Sequence, residues 1–260
     1  MPEPLADHAI TWLLVVFRLT GLFVFTPVLS GQTAPRGARA LMAVAFGAAV
    51  YPALPGTVPV PPRLDLISLG PLIGGELFIG VAIGALASIP VYCMQLAGML
   101  MGYQMGLAMA RSYDPTLEAD SDVISRLMFY VAMCVFVALG GLESVFLALL
   151  ASFESVPIGG MSAWESPVAI GTQLLTAGFV VAIRVAAPVL CIIFLQMISM
   201  GFVMKTMPQI NILSVGFAIK IMIGLGVIAL ALKAVDSVAG VEIEQALGHI
   251  EQWVTSPGMA

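Results

Sequence analysis

The chain has few charged residues for its length. Of its 260 residues, 10% are Asp, Glu, Lys or Arg and 60% are hydrophobic, and the mean hydropathy is +1.05. Soluble domains carry about 25% charged residues, so this shortage predicts a multi-pass membrane protein. The formal net charge is −5. A nucleic-acid partner is therefore disfavoured, because the chain has no basic face to neutralise phosphates.

Histidine and cysteine are also scarce, which argues against several kinds of chemistry. The two histidines, His8 and His249, lie near the two ends and outside the apolar runs. Cys93, Cys134 and Cys191 are far apart, and each lies in an apolar run, where a thiol behaves as a small hydrophobe. The sequence contains no CxxC, GxxxxGK[ST], HExxH or GxSxG motif. We therefore expect no enzyme, no cofactor and no bound metal.

Long apolar runs are what the sequence has in abundance. They cover residues 9–30, 38–55, 66–110, 123–153, 168–204 and 209–235. A membrane-spanning helix needs about 20 residues, so the run 66–110 is too long for one crossing. We expect it to break near Pro90, because proline removes a backbone donor, and we expect similar breaks at Gly140 and Pro188. The pattern predicts an all-α, membrane-associated fold of six to eight helical segments, with broken helices and hairpins.

The links between these runs are short. None is long enough for a second soluble domain, so we predict one domain over residues 1–260, in which 236–260 form a short C-terminal tail. Apolar residues recur at helical spacing in the tail, which predicts a brief amphipathic helix there. Arg36 and Arg39 favour a cytoplasmic position for the first link. The number of true crossings and the orientation stay open.

Six ionisable residues lie within the apolar runs: Arg18, Glu76, Arg126, Glu143, Arg184 and Lys220. At the centre of a bilayer each costs about 2.5–3.5 kcal/mol on insertion scales. We therefore predict that they are buried charges that are paired, face a polar lumen or lie outside the hydrocarbon. One interpretation is the ion pathway of a small-solute or ion transporter, with a site near the midplane. The other is a subunit that partner subunits complete.

Three glycines, Gly98, Gly102 and Gly106, recur at four-residue spacing and share one helical face. Glycines so spaced allow another backbone to approach closely, so we predict a helix-packing face. Met101, Met105 and Met109 lie beside them on the neighbouring face. A methionine stripe of this kind is consistent with a deformable seal, because thioether side chains adapt to changing shapes, or with plain packing.

A set of local motifs in order resembles the FliR (SctT) family of the flagellar and type III secretion export gate. It includes Arg18-Leu-Thr-Gly21, Gly75-Glu-Leu-Phe-Ile-Gly80, Tyr103-Gln-Met-Gly106, Asp114-Pro115 and Pro208-Gln-Ile-Asn-Ile-Leu-Ser-Val-Gly216, and it covers about residues 10–235. The chain departs from the family at Glu143, where a histidine is usual nearby, at Lys205, which replaces an arginine, and at Ile219, which replaces a proline.

The resemblance implies a structural pore or gate subunit of the flagellar type III protein export apparatus. Such a subunit is needed for export of flagellar proteins and for flagellum assembly, and it packs into a helical export-gate assembly. The implied partners are FliP-like and FliQ-like subunits, a FlhB-like subunit and unfolded flagellar proteins in transit. The implied location is the bacterial inner membrane, in the flagellar basal body. Membership of a flagellar or an injectisome system, stoichiometry and proton coupling stay open.

The resemblance also assigns a role to residues 106–122, which match the family's plug segment. It implies a plug or gate loop in which apolar side chains fill the closed lumen and Asp114-Pro115 sets the turn. Its residues are Leu107, Met109, Tyr113, Asp114, Pro115 and Leu117. Without the resemblance, this segment is typical of a solvated loop between helices.

Overall fold

The computed structural model describes residues 3–30, 35–54, 66–107, 123–159, 167–206 and 212–255. In these ranges the chain forms eight α-helices, one 3₁₀ turn (Tyr51–Ala53) and no strand. The helices are α1 (Glu3–Phe25), α2 (Pro27–Ser30), α3 (Arg36–Val50), α4 (Leu66–Met105), α5 (Val123–Ala138), α6 (Gly141–Ser155), α7 (Val168–Thr206) and α8 (Ile212–Thr255). The predicted all-α class is confirmed.

Four of these helices are long and apolar enough to cross a membrane. The candidate spans are His8–Phe25, Leu69–Met105, Val168–Thr206 and Val215–Thr255, and α5 with α6 forms a fifth if the pair counts as one broken span. This confirms the membrane character that the composition predicts. The three longest spans have 37, 39 and 41 residues. At about 1.5 Å per residue, a straight helix of this length extends beyond the roughly 30 Å hydrocarbon core.

Two of the three expected helix breaks are wrong. α4 continues through Pro90, and α7 continues through Pro188. Proline is tolerated in membrane helices, because nearby groups can satisfy the carbonyl that it leaves free. The third break is confirmed: α5 and α6 are separate helices, and Gly140 between them has a φ of 71°. A residue with a side chain would be strained in that left-handed conformation.

The C-terminal part of the chain continues the last apolar run as helix. Residues 236–255 belong to the 44-residue helix α8, so they do not form a separate short element. Ile243, Ala246 and Ile250 are buried, whereas Val241 is exposed. The predicted amphipathic spacing is therefore present, within a longer helix than expected.

The chain divides into two compact units. The first unit comprises Met1–Ile89, Gly140–Leu174 and Glu244–Ala260, and the second comprises Pro90–Leu139 and Leu175–Ile243. In the first unit, large side chains of α1 and α4 form the core, among them Leu14, Leu19, Leu22, Ile79 and Ile83. The rings of Phe23, Phe46 and Phe146 pack against one another there, with centroids 5.2–5.9 Å apart.

The core of the second unit has a different composition. It contains several fully buried methionines and small residues from α4 and α5, among them Met94, Ala97, Met101, Met128 and Ala132. Methionine fills irregular gaps between closely packed helices, because its side chain is unbranched and flexible.

Candidate functional site: a polar clasp and the root of residues 106–122

An ion pair is buried in the first unit, among the described residues. Arg18 on α1 and Glu76 on α4 are 0% and 2% exposed at their side chains, and Arg18 Nε lies 2.5 Å from Glu76 Oε2. These two residues are 58 positions apart in the chain. The pair therefore links the two helices deep in the unit, away from solvent.

The remaining polar atoms of the pair bond to the end of α6 and to the turn after it. Arg18 Nη1 donates to Ser152 O and Ser152 Oγ at 3.0 and 3.1 Å, and Nη2 donates to Val156 O at 3.3 Å. Glu76 Oε1 accepts the backbone N–H of Gly159 at 2.8 Å. We call these five residues the polar clasp.

The chemistry of the polar clasp suits the end of a helix. The last carbonyls of a helix lack intrahelical partners, and a cation at that end also interacts favourably with the helix dipole. Arg18 places its cation at this end of α6, bonds to Val156 O just after the helix, and adds a second bond to Ser152 O, which also accepts the Val156 N–H. Its guanidinium carbon lies 4.2 Å from the centre of the Phe153 ring. A buried ion pair needs such additional bonds, because desolvation otherwise outweighs the mutual attraction of the two charges.

Glycines let α1 and α4 approach closely enough to form the clasp. A Cβ at Gly80 would overlap the carbonyl oxygen of Arg18, and a Cβ at Gly21 would overlap that of Leu77. At Gly84 it would lie 2.8 Å from the carbonyl oxygen of Leu22. This face is not among the helix-packing faces predicted from the sequence. The four-residue spacing of Gly80 and Gly84 could have identified it, because Gly98, Gly102 and Gly106 have the same spacing.

The other four ionisable residues of the apolar runs are not buried within the chain. Arg126, Glu143 and Arg184 are exposed, and Lys220 is partly exposed. Within this chain, Arg18 and Glu76 are buried, and burial of the other four by partner subunits stays a prediction. Of the possible cations for Glu76, the structure selects Arg18.

Residues 106 and 107, with which the segment 106–122 begins, lie in the second unit. α4 ends at Met105, and Gly106 follows with a φ of 84°, its N–H donating to Tyr103 O at 3.0 Å. Leu107 is partly exposed. The remaining predicted plug residues, Met109, Tyr113, Asp114, Pro115 and Leu117, lie outside the described residues.

The helices that flank this segment are in close backbone contact. A Cβ at Gly98 of α4 would lie 2.7 Å from both Ile124 O and Ser125 Cα of α5. Ser125 Oγ also donates to Gln95 O at 3.2 Å. Gly102, one turn after Gly98 on α4, is also buried. The segment 106–122 therefore connects two helices, α4 and α5, that pack closely against each other.

The methionine stripe packs inside the second unit as far as the structure describes it. Met101 and Met105 are 1% and 0% exposed. A Cβ at Gly224 of α8 would lie 2.7 Å from Met105 Sδ. Plain packing therefore accounts for these two side chains.

Comparison with known proteins gives a family for the chain. Residues 9–246 match the family of bacterial export proteins, family 1. The chain is 24% identical over 234 residues to the flagellar biosynthetic protein FliR of Escherichia coli (strain K12), which covers 88% of each protein. It is 24% identical over 208 residues to FliR of Bacillus subtilis (strain 168), with 77% of this chain and 78% of the relative covered. It is 27% identical over 208 residues to the Yop proteins translocation protein T of Yersinia pestis, with 78% of each covered. The resemblance to FliR and SctT is thus confirmed, and the chain belongs to the bacterial export proteins, family 1.

Proposed function

We propose that this chain is a structural pore or gate subunit of the flagellar type III protein export apparatus. The observation that carries the proposal is the family match over residues 9–246, in a chain whose helices include four candidate membrane spans among the described residues. The names of the relatives point to flagellar biosynthesis and to Yop translocation, which are both protein-export processes.

The polar clasp supports a structural role over solute transport. A transporter site needs polar or charged groups near the midplane that can bind the solute. The buried charges Arg18 and Glu76 instead bond to each other and to Ser152, Val156 and Gly159. The clasp thus fixes the first unit and leaves no charge of this pair for a solute. The same reasoning favours a non-enzymatic subunit.

We also propose the assembly and its location. The partners are FliP-like, FliQ-like and FlhB-like subunits, and unfolded flagellar proteins pass through the assembled gate in the inner membrane of the basal body. The long helices α7 and α8 support this arrangement. They expose large apolar side chains such as Phe202, Met222 and Leu230 together with the charge of Arg184. A mixed surface of this kind is better covered by other subunits than by lipid alone.

Residues 106–122 are proposed to plug the closed channel. The glycine with positive φ at position 106 supports a sharp departure from α4 at this point. Deleting residues 112–122 should increase leakage of small solutes across the membrane, measured with a dye or an ion-sensitive probe in intact cells. Unchanged permeability in cells that contain the assembled variant would contradict the plug role.

Loss of the chain tests the proposed function. A strain without it should release no flagellar subunits into the medium and should build no filament, and the wild-type chain should restore both. A Gly74→Ala variant is the matched positive control, since a Cβ at Gly74 meets nothing within 4 Å. Normal release of flagellar subunits from the deletion strain would contradict the proposal.

A further inference from the structure

The end of α4 lies against one face of α8 in the second unit. A Cβ at Gly224 of α8 would lie 2.7–2.9 Å from atoms of the Met105 side chain, which is 0% exposed. A Cβ at Gly106 would lie 3.2 and 3.4 Å from Cε2 and Cδ2 of the Phe217 ring of α8. Phe217 and Gly224 are two helical turns apart and so share one face of α8. Two successive residues, Met105 and Gly106, thus contact the same face of one helix.

Gly106 is the residue at which the chain leaves α4. Its φ of 84° lies in the left-handed region, and its N–H donates to Tyr103 O at 3.0 Å. Glycine commonly ends a helix in this conformation, because a residue with a side chain is strained there. The Phe217 ring lies beside the space that such a side chain would occupy. The path of the chain beyond Met105 is therefore limited both by the backbone conformation of Gly106 and by the ring next to it.

We propose that Phe217 is a positioning residue for the plug segment, residues 106–122. The inference rests on the proposed function, because it needs a channel that this segment closes. By packing against Gly106, the ring fixes the position at which the segment begins and prevents its first residue from moving toward α8. Removal of the ring leaves a space there, so Gly106 can shift and the segment closes the channel less tightly. Phe217 acts through Gly106 and does not itself close the channel.

The ring is better suited to this role than the methionine contact beside it. The Met105 side chain is unbranched and flexible, so it adapts to small shifts of α8, whereas a phenyl ring keeps its shape. Phe217 is partly exposed, so its removal costs less than removal of a fully buried ring, because less apolar area is at stake. Its effect on the plug segment can therefore be measured in a chain that still folds.

Leakage through the resting assembly provides the test. Cells that contain the wild-type chain or Phe217→Ala are compared by their uptake of a small membrane-impermeant dye, and the amount of assembled chain is measured in the same cells. Phe217→Ala should raise dye uptake by about tenfold, which corresponds to about 1.4 kcal/mol of lost closing free energy. Phe217→Tyr keeps the ring and should stay as tight as the wild type. Both variants should still release flagellar subunits into the medium.

Phe129→Ala is the matched control in the same unit. This ring is also partly exposed, and it packs against Tyr92 and Tyr130 with ring centroids 5.9 and 5.7 Å apart. Tyr92 lies about 20 Å before the end of α4, at about 1.5 Å per residue. Phe129→Ala should therefore leave dye uptake unchanged. Equal leakage from the two alanine variants would overturn the inference, because general loosening of the unit would then explain both.

Deletion of residues 112–122 separates positioning from any other effect of the ring. In a chain that carries this deletion, Phe217→Ala should raise dye uptake no further, since the ring acts through the segment. Additive uptake would contradict the inference. A tight Phe217→Ala assembly beside a leaky deletion would also refute it and leave the plug role intact. If the deletion itself is tight, the plug role and the inference both fall, whereas the release of flagellar subunits still decides the export function.

A second substitution covers the case in which Phe217→Ala is not recovered in the assembly. Phe217→Leu keeps an apolar side chain but removes the ring, so it should assemble and should leak more than Phe217→Tyr. A Phe217→Leu assembly as tight as the wild type would then overturn the inference.

Discussion

The cores of the two units of this chain are stabilised by different kinds of contact. The first unit has a charged, hydrogen-bonded centre, in which Arg18 and Glu76 tie α1 and α4 to the end of α6. The second unit has a centre of glycines and methionines, such as Gly98 against α5 and Met105 against Gly224. The first arrangement specifies one geometry, because several directional hydrogen bonds must form together around one buried ion pair. The second is set by shape, and flexible thioether side chains can adjust to small shifts.

This difference suits two separate roles that we propose, a fixed frame in the first unit and the attachment of the plug segment in the second. The segment proposed to plug the channel, residues 106–122, begins in the unit whose core contains several flexible methionine side chains. The unit with the polar clasp gives a fixed frame, because a buried and fully bonded ion pair is costly to disrupt. The comparison predicts that substitutions in the first unit cost more stability than similar substitutions in the second.

The largest effect is expected at Gly80. Gly80→Ala places a Cβ on the carbonyl oxygen of Arg18, so α1 and α4 must separate and the clasp must stretch. We expect a loss above about 3 kcal/mol, beyond the usual range for an overpacked core, and little folded protein in the membrane. The measurement is the yield and thermal unfolding of the purified chain, with Gly74→Ala as the control. A Gly80→Ala chain as stable as the control would contradict the close approach of α1 and α4.

A double-mutant cycle on the clasp should give an effect of similar size. Arg18→Met leaves Glu76 buried without its cation, which costs about 3–5 kcal/mol. Arg18→Met together with Glu76→Met removes both charges and should cost less than the sum of the two single changes. Thermal unfolding of the four proteins measures the coupling. Glu143→Gln alters an exposed carboxylate of the same unit and should change stability by at most about 0.5 kcal/mol. Additive single effects would show that the pair does not act as a unit.

Gly98→Ala tests the tight contact of the second unit. The new Cβ would lie 2.7 Å from backbone atoms of Ile124 and Ser125, and a backbone yields less easily than a side chain. We expect a loss of about 1–3 kcal/mol, smaller than that at Gly80. Gly226→Ala is the control in the same unit, since a Cβ there meets nothing within 4 Å. Equal stability of the two variants would contradict the backbone contact between α4 and α5.

The smallest effect is expected at Gly224. The three atoms nearest to a Cβ there all belong to the Met105 side chain, at 2.7–2.9 Å, and this side chain can change its rotamer. Gly224→Ala also gains helix propensity, worth about 0.8–1.0 kcal/mol. The net change should stay within about 1 kcal/mol in unfolding measurements, because the two terms oppose each other. A loss as large as that of Gly98→Ala would show that the methionine packing is rigid.

The sequence predicts the fold class well, because composition and apolar runs depend on the membrane and not on details of packing. The breaks at Pro90 and Pro188 were wrong for a physical reason. Helix rules derived in water overstate the effect of proline, since a membrane helix has no water to satisfy an opened backbone. The break predicted at Gly140 was correct, because this glycine adopts a left-handed conformation that separates α5 from α6.

The candidate site could be predicted only in part. The apolar sequence around Arg18 and Glu76 marked both residues. Four cations lie in such a context, so the sequence could not show which of them pairs with Glu76. The choice of Arg18 depends on the close approach of α1 to α4 at Gly21, Gly80 and Gly84. The partners at Ser152 and Gly159 lie 134 and 83 positions away from the residues that they bond. No periodic pattern in the sequence links positions so far apart. The exposure of Arg126 and Arg184 likewise follows from helix rotation, which the long apolar runs leave undetermined.

Gentle detergent extraction of the tagged chain from its native membrane, followed by mass spectrometry of the purified material, tests the central claim most directly. The account predicts that FliP-like and FliQ-like subunits co-purify in excess over this chain. Recovery of the chain alone, stable and monodisperse, would contradict the claim that it is a subunit of an export gate.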